Sequence, residues 1–219
     1  MRLTFAGRNT KEIENLIDES GVLEDTEGTI KEKVEELIDS NAKLNALEEH
    51  FDTSTFGSVV DLFRTYKYSK FPKFNFKNFT SLQRTFAYSK IETFDYYIDC
   101  SSATIGVQMF LGSVKLKSMV GINTSAMTSV NFMFNDCAGL ETIQEPLNFQ
   151  NVATANNTFL TCNALKNIKF VAGTIKVNIS FPSSSLLSGD SIQSIIDGLA
   201  TVETAQTLTL HTDVKAKLT

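Results

Sequence analysis

Hydrophobic and polar positions follow three different rhythms along this chain of 219 residues. In the first 50 residues the apolar positions recur at helical spacing. Asn9 with Glu12 forms a capping-box signature ahead of Ile13, Leu16 and Ile17, and Gly21 closes that segment. Thr29 with Glu32 repeats the signature, with Ile30, Val34, Leu37 and Ile38 along one helical face. From about Phe51 the spacing shortens toward two, as in Phe71-Pro72-Lys73-Phe74-Asn75-Phe76-Lys77-Asn78-Phe79, and the pattern begins to repeat.

The repetition is explicit. Leu62, Arg64, Thr65, Tyr66, Tyr68, Ser69 and Lys70 recur as Leu82, Arg84, Thr85, Phe86, Tyr88, Ser89 and Lys90, an offset of 20 residues. A related unit then appears three times, as Phe110, Ser113, Leu116 and Met119; Phe134, Cys137, Leu140 and Ile143; and Phe159, Cys162, Leu165 and Ile168, at offsets of 24 and 25. Each unit reads aromatic, small residue three later, Leu six later, aliphatic nine later. One such unit cannot bury its own apolar side chains, so consecutive units must stack, and their apolar endings predict short parallel strands along one face. Offsets of 20 to 25 lie in the leucine-rich-repeat range. The expected fold is an α/β leucine-rich-repeat solenoid over residues 51–185, after an acidic helical region at 1–50.

Beyond Ile168 the template fades into the serine-rich Pro182-Ser183-Ser184-Ser185. A helix capped by Ser188 or Asp190 follows, with Ile192, Ile195, Ile196 and Leu199 on one face. Thr207 to Leu210 reads as a strand, and Thr212-Asp213 opens another helix. Residues 186–219 thus form a helix-strand C-terminal cap of the kind that covers a solenoid's last apolar face, and its stop at Thr219 leads us to expect a truncated chain.

Composition narrows the function. The first 50 residues hold 13 acidic against 6 basic side chains, a net of −7, while the whole chain carries −5. Neither value favours a nucleic-acid partner or an anionic membrane. Arg8 and Asn9 interrupt the amino terminus before a signal-peptide core forms. No stretch reaches the ~20 apolar residues of a membrane span. Cys100, Cys137 and Cys162 lack metal-ligand spacing, and the last two align with Ser113, which reads as a column of small buried residues. Only two histidines, His50 and His211, are present, both outside the repeats. That leaves no base for a serine or cysteine nucleophile, no phosphate-cradling glycine loop is present, and no cofactor or metal is expected.

One stretch stands out in charge. From Arg64 to Lys90 there are seven Lys or Arg and no Asp or Glu, interleaved with eight Phe or Tyr. A basic aromatic face stacks on sugars and holds anions; alternation in a strand instead buries the aromatics and leaves the lysines solvated. The candidate ligand surface comprises Arg64, Tyr68, Lys70, Arg84, Tyr88 and Lys90, with Tyr68-Ser69-Lys70 and Tyr88-Ser89-Lys90 set side by side by the repeat.

The aromatic, Cys or Ser, Leu, Ile pattern over about residues 60–185 resembles the BspA-like leucine-rich repeats of bacterial surface proteins. The segments Gly21 to Ile38 and Ser191 to Leu210 are similar to flanks of such repeats in phage-tail and mobile-element proteins. The first two units depart from the pattern, being shorter and without Cys. The resemblance implies a non-enzymatic recognition or adhesion module for a glycan or protein, extracellular, at the cell surface or on a virion. The alternative is a structural spacer or assembly subunit of a phage tail or surface complex, with the N-terminal helices supplying the contact.

Overall fold

The computed structural model describes residues 58 and 60–218; the helices expected within 1–50 lie outside them. Three short strands, β1 (Thr93–Ile98), β2 (Ser118–Ile122) and β3 (Thr142–Ile143), pair in parallel in that order. Single parallel bridges extend the sheet, from Lys70 to Thr93 on one side and from Thr142 to Asn167 on the other. A second row of parallel bridges joins Ser58, Ser81, Ile105, Ser129 and Thr154. Every step in these rows joins residues 23 to 25 apart, so each turn of chain lies beside the one that follows it. One extra residue in β1 shifts the register between Phe94 and Tyr97, a bulge that absorbs the difference between offsets of 25 and 24.

Between the two rows the chain follows overlapping turns, and their backbone hydrogen bonds divide cleanly. The N–H groups of Leu82, Arg84, Phe86 and Tyr88 donate to the carbonyls of Ile105, Val107, Met109 and Leu111 in the next turn of chain. Those of Thr85, Ala87 and Ser89 donate back to Leu82, Arg84 and Phe86. The same alternation recurs from Gly106 to Ser113 and from Val130 to Cys137. Buried donors are thereby satisfied without helix or continuous strand. The geometry requires left-handed backbone at two positions four residues apart in each turn: Asp61 and Thr65, Arg84 and Tyr88, Gln108 and Gly112, Phe132 and Asp136, Asn157 and Thr161. Only one of the ten is glycine.

Inside, one apolar cluster runs the length of the described chain. Its spine is a column of parallel rings, Phe63, Phe86, Phe110, Phe134, Phe159 and Phe181, with centroids 4.8 to 5.7 Å apart and ring planes within 16°. That spacing is close to the separation of hydrogen-bonded strands, so backbone pairing and ring stacking reinforce each other. The column corrects the register expected at its start. Phe86 lies level with Phe63, 23 residues earlier, and Tyr66 lies level with Ser89. Nor does the template fade after Ile168. Phe181, Ser184 and Leu187 repeat it once more, all fully buried.

Ser113, Cys137 and Cys162 do occupy equivalent buried positions, three residues after their phenylalanines. Each side chain donates to the phenylalanine carbonyl of the preceding turn: Ser113 Oγ to Phe86 at 2.7 Å, Cys137 Sγ to Phe110 and Cys162 Sγ to Phe134, both at 3.1 Å. In these turns the position takes a small side chain that donates one hydrogen bond, whereas Tyr66 fills it in the first turn. A second side-chain row stands at Asn75, Asp99, Asn123 and Asn148, whose Oδ1 atoms accept from the N–H two residues on and fix a turn.

The C-terminal segment places helix α1 (Gly189–Gly198) beside the last bridge of the sheet. Ser188 caps it, accepting from Ser191 N–H. Ser191 Oγ accepts from Ile168 N–H and Ser194 Oγ from Phe170 N–H, each at 3.0 Å, so hydroxyl groups of a helix take the place of the next strand's carbonyls. The buried face is Ser191, Ile192, Ile195 and Gly198; Ile196, expected there, is exposed. The backbone-bonding serines take the positions against the sheet. Strand β4 (Ile179–Phe181) pairs in parallel with β5 (Leu208–Leu210), and a short helix α2 (Thr212–Lys215) follows.

Candidate binding surface

The basic aromatic segment divides in two. Phe71, Phe74, Phe76 and Phe79 are buried and Lys73 and Lys77 are exposed, the alternation of a solvated edge over a core. The six candidate residues do not form one patch. Lys70 is bridged to Thr93, whereas Lys90 N–H donates to the carbonyl of Tyr66, so Tyr68-Ser69-Lys70 and Tyr88-Ser89-Lys90 stand three residues out of register rather than side by side. The reason is the 23-residue step from Phe63 to Phe86, where the sequence similarity gave 20.

Arg64, Arg84 and Tyr88 do come together. The Arg64 guanidinium lies 5.4 Å from the centre of the Tyr88 ring. The ring also rests against Gly112, where any Cβ would fall 2.5 Å from the ring carbons. Tyr88 is 48% exposed and Gly112 has φ +68°. Arg84 Nη2 donates to Asp61 Oδ2 at 2.7 Å, and Arg64 Nε lies 3.7 Å from Asp61 Oδ1. Asp61 is the residue that reasoning from the charge run missed, since the run starts at Arg64; its position three residues earlier is the signal that points to it. Tyr68 is half-buried, edge-on to Tyr66 at 5.5 Å, and Lys67 sits 5.0 Å over its ring.

Beyond this end the surface charges form a row of alternating sign. Glu92, Lys117, Glu141 and Lys166 follow one another through backbone bonds, with Lys117 2.8 Å from Glu92 and Lys166 2.8 Å from Glu141. The hydrogen bond from each lysine holds the Glu92 and Glu141 carboxyls below their ordinary range, and its bond to Glu92 holds Lys117 above its own.

The three thiols are withdrawn from solvent. Burial raises all three thiols: Cys162 to about 12, Cys100 and Cys137 well above their usual range. His211 Nδ1 accepts from Asp213 N–H at 3.2 Å as the cap of α2. Among the described residues no cluster of three His, Cys, Asp or Glu is placed to hold a metal ion, and no helix is long and apolar enough to cross a membrane. No protein family, characterised protein or solved structure matches the chain.

Proposed function

We propose that the chain is a non-enzymatic recognition or adhesion module, a leucine-rich-repeat solenoid of BspA-like type. It binds a glycan or protein through the surface that Arg64, Arg84 and Tyr88 share, at a cell surface or on a virion. The observation that carries the reading is Tyr88. Its half-exposed ring packs on Gly112 with the Arg64 guanidinium beside it and so offers an aromatic edge next to a cation. Buried, protonated thiols and a histidine spent on a helix cap support a binding role over a catalytic one.

The test is retention of the full chain on immobilised cell-wall glycans and on host surface proteins. Tyr88→Ala with Arg64→Ala is expected to abolish it, and Lys70→Glu with Lys90→Glu to weaken it; retention unchanged in both pairs sinks the surface. A spacer or assembly subunit is the second reading, favoured by the unbroken phenylalanine column, which gives a stiff rod whatever its surface carries. Light scattering separates the two, since an assembly subunit forms oligomers that dissociate when residues 1–50 are removed.

A further inference from the structure

Several turns of chain from Tyr88, a groove of about 300 Å³ opens where three segments meet: the start of the fifth turn, the loop before β4 and the loop before β5. Its polar lining is Thr154, Asn156, Lys176, Asn178, Thr204 and Gln206, over a floor that includes Ala155 and Val177. The volume is at the lower end of the roughly 300–1,000 Å³ usual for small-molecule sites.

Gln206, Asn178 and Lys176 are each oriented by a hydrogen bond. Gln206 Nε2 donates to the carbonyls of Ile175 at 3.1 Å and Val177 at 3.4 Å, which leaves Oε1 as a fixed acceptor. Asn178 Oδ1 accepts from Thr207 N–H at 2.7 Å, which leaves its amide hydrogens as donors. Lys176 Nζ donates to the Gln150 carbonyl at 3.1 Å and keeps two further protons. Lys176 is also the only charged residue in the lining, and no carboxylate there opposes it. Adjacent fixed donors and acceptors match vicinal hydroxyl groups, which donate and accept at once; an ammonium without a partner carboxylate matches one anionic oxygen pair.

We propose that this groove binds a small hydroxyl-rich ligand carrying a single carboxylate, in chemical terms a uronic-acid sugar. Lys176 takes the carboxylate, and Asn178 and Gln206 take ring hydroxyls. The site goes beyond the surface around Tyr88 and does not require it.

Titration calorimetry of the full chain with methyl glucuronide and with methyl glucoside tests this. The glucuronide is expected to bind saturably and the glucoside about tenfold more weakly, the scale of one charge-assisted hydrogen bond. Lys176→Gln brings the glucuronide down to the glucoside's affinity, whereas Arg64→Ala with Tyr88→Ala leaves both sugars unaffected. Gln206→Ala weakens both, and Asn156→Ala is a second groove variant, since its exposed side chain makes no hydrogen bond among the described residues. The proposal is overturned if neither sugar binds, if the two bind equally, if Lys176→Gln matches the parent, or if binding is lost in the Arg64 and Tyr88 pair. Failure in the groove leaves the proposal for the Tyr88 surface standing, and the reverse also holds.

Discussion

The rings of Phe110 and Phe134 lie 5.1 Å apart and within 4° of parallel, midway along a column of six. Each contacts a ring on both sides, so truncating one leaves a cavity that its neighbours cannot close without breaking backbone pairing. Phe134→Ala is expected to lower stability by about 3–5 kcal/mol, the range for a fully buried aromatic. Denaturant unfolding measures it, and a loss below about 1 kcal/mol contradicts the column's role.

The thiol column makes stability depend on alkaline pH. Burial raises Cys162 from its ordinary 9.0 to about 12 and moves Cys137 upward as well. The folded state therefore retains protons that the unfolded state releases. The stabilisation is complete below pH ~9 and is lost as pH rises from there toward ~12. The melting temperature is expected to fall across that window, and Cys137→Ser with Cys162→Ser to flatten the fall. A thiol reagent at pH 8 is expected to label neither residue until the chain unfolds.

Two glycines separate strain from steric conflict. At Gly139 an added Cβ lies 2.5 Å from the Val114 carbonyl oxygen, a backbone atom with nowhere to go. At Gly112 it meets the half-exposed Tyr88 ring, which is free to swing outward. Gly139→Ala is expected to cost about 2–3 kcal/mol, and Gly112→Ala nearer ~1 kcal/mol from its left-handed backbone. Calorimetry gives the order, and only the Gly112 variant is expected to alter binding at the Tyr88 surface.

Asp61 restrains two guanidinium groups at once. Asp61→Asn is expected to destabilise by no more than about 1 kcal/mol, because the pairs are partly solvated. It frees Arg64 and Arg84, so the protein elutes from a sulfated matrix at higher salt than the parent; unchanged elution shows that the pair was never engaged.

How much of this was legible in the sequence depends on which atoms do the work. Phe110, Phe134 and Phe159, with Ser113, Cys137 and Cys162, were visible because side chains of one type must meet side chains of the same type. The left-handed positions were not: Arg84, Gln108, Phe132 and Asn157 share nothing but backbone conformation, and the first three donate their N–H to the next turn. Repetition of residue types also misled at Leu62 and Leu82, where similar residues recur 20 apart while the rings stack 23 apart. For the candidate surface, the clustering of Arg64, Arg84 and Tyr88 was anticipated in identity, but their partners Asp61 and Gly112 come from outside the charge run.

Because the turns through Phe86, Phe110 and Phe134 each hand alternate N–H groups forward and keep the others, these turns are interchangeable in their bonding but not in their length. Removing one whole turn, residues 111–134, would place Asn135 directly after Phe110 and leave every donor facing the acceptor type it faced before. Removing a single residue from Gln108 to Gly112 would carry a phenylalanine from the spine to the surface. Such a chain can grow or shrink by duplication and loss of about 24 residues at a time, varying its outward side chains while its interior stays one continuous stack.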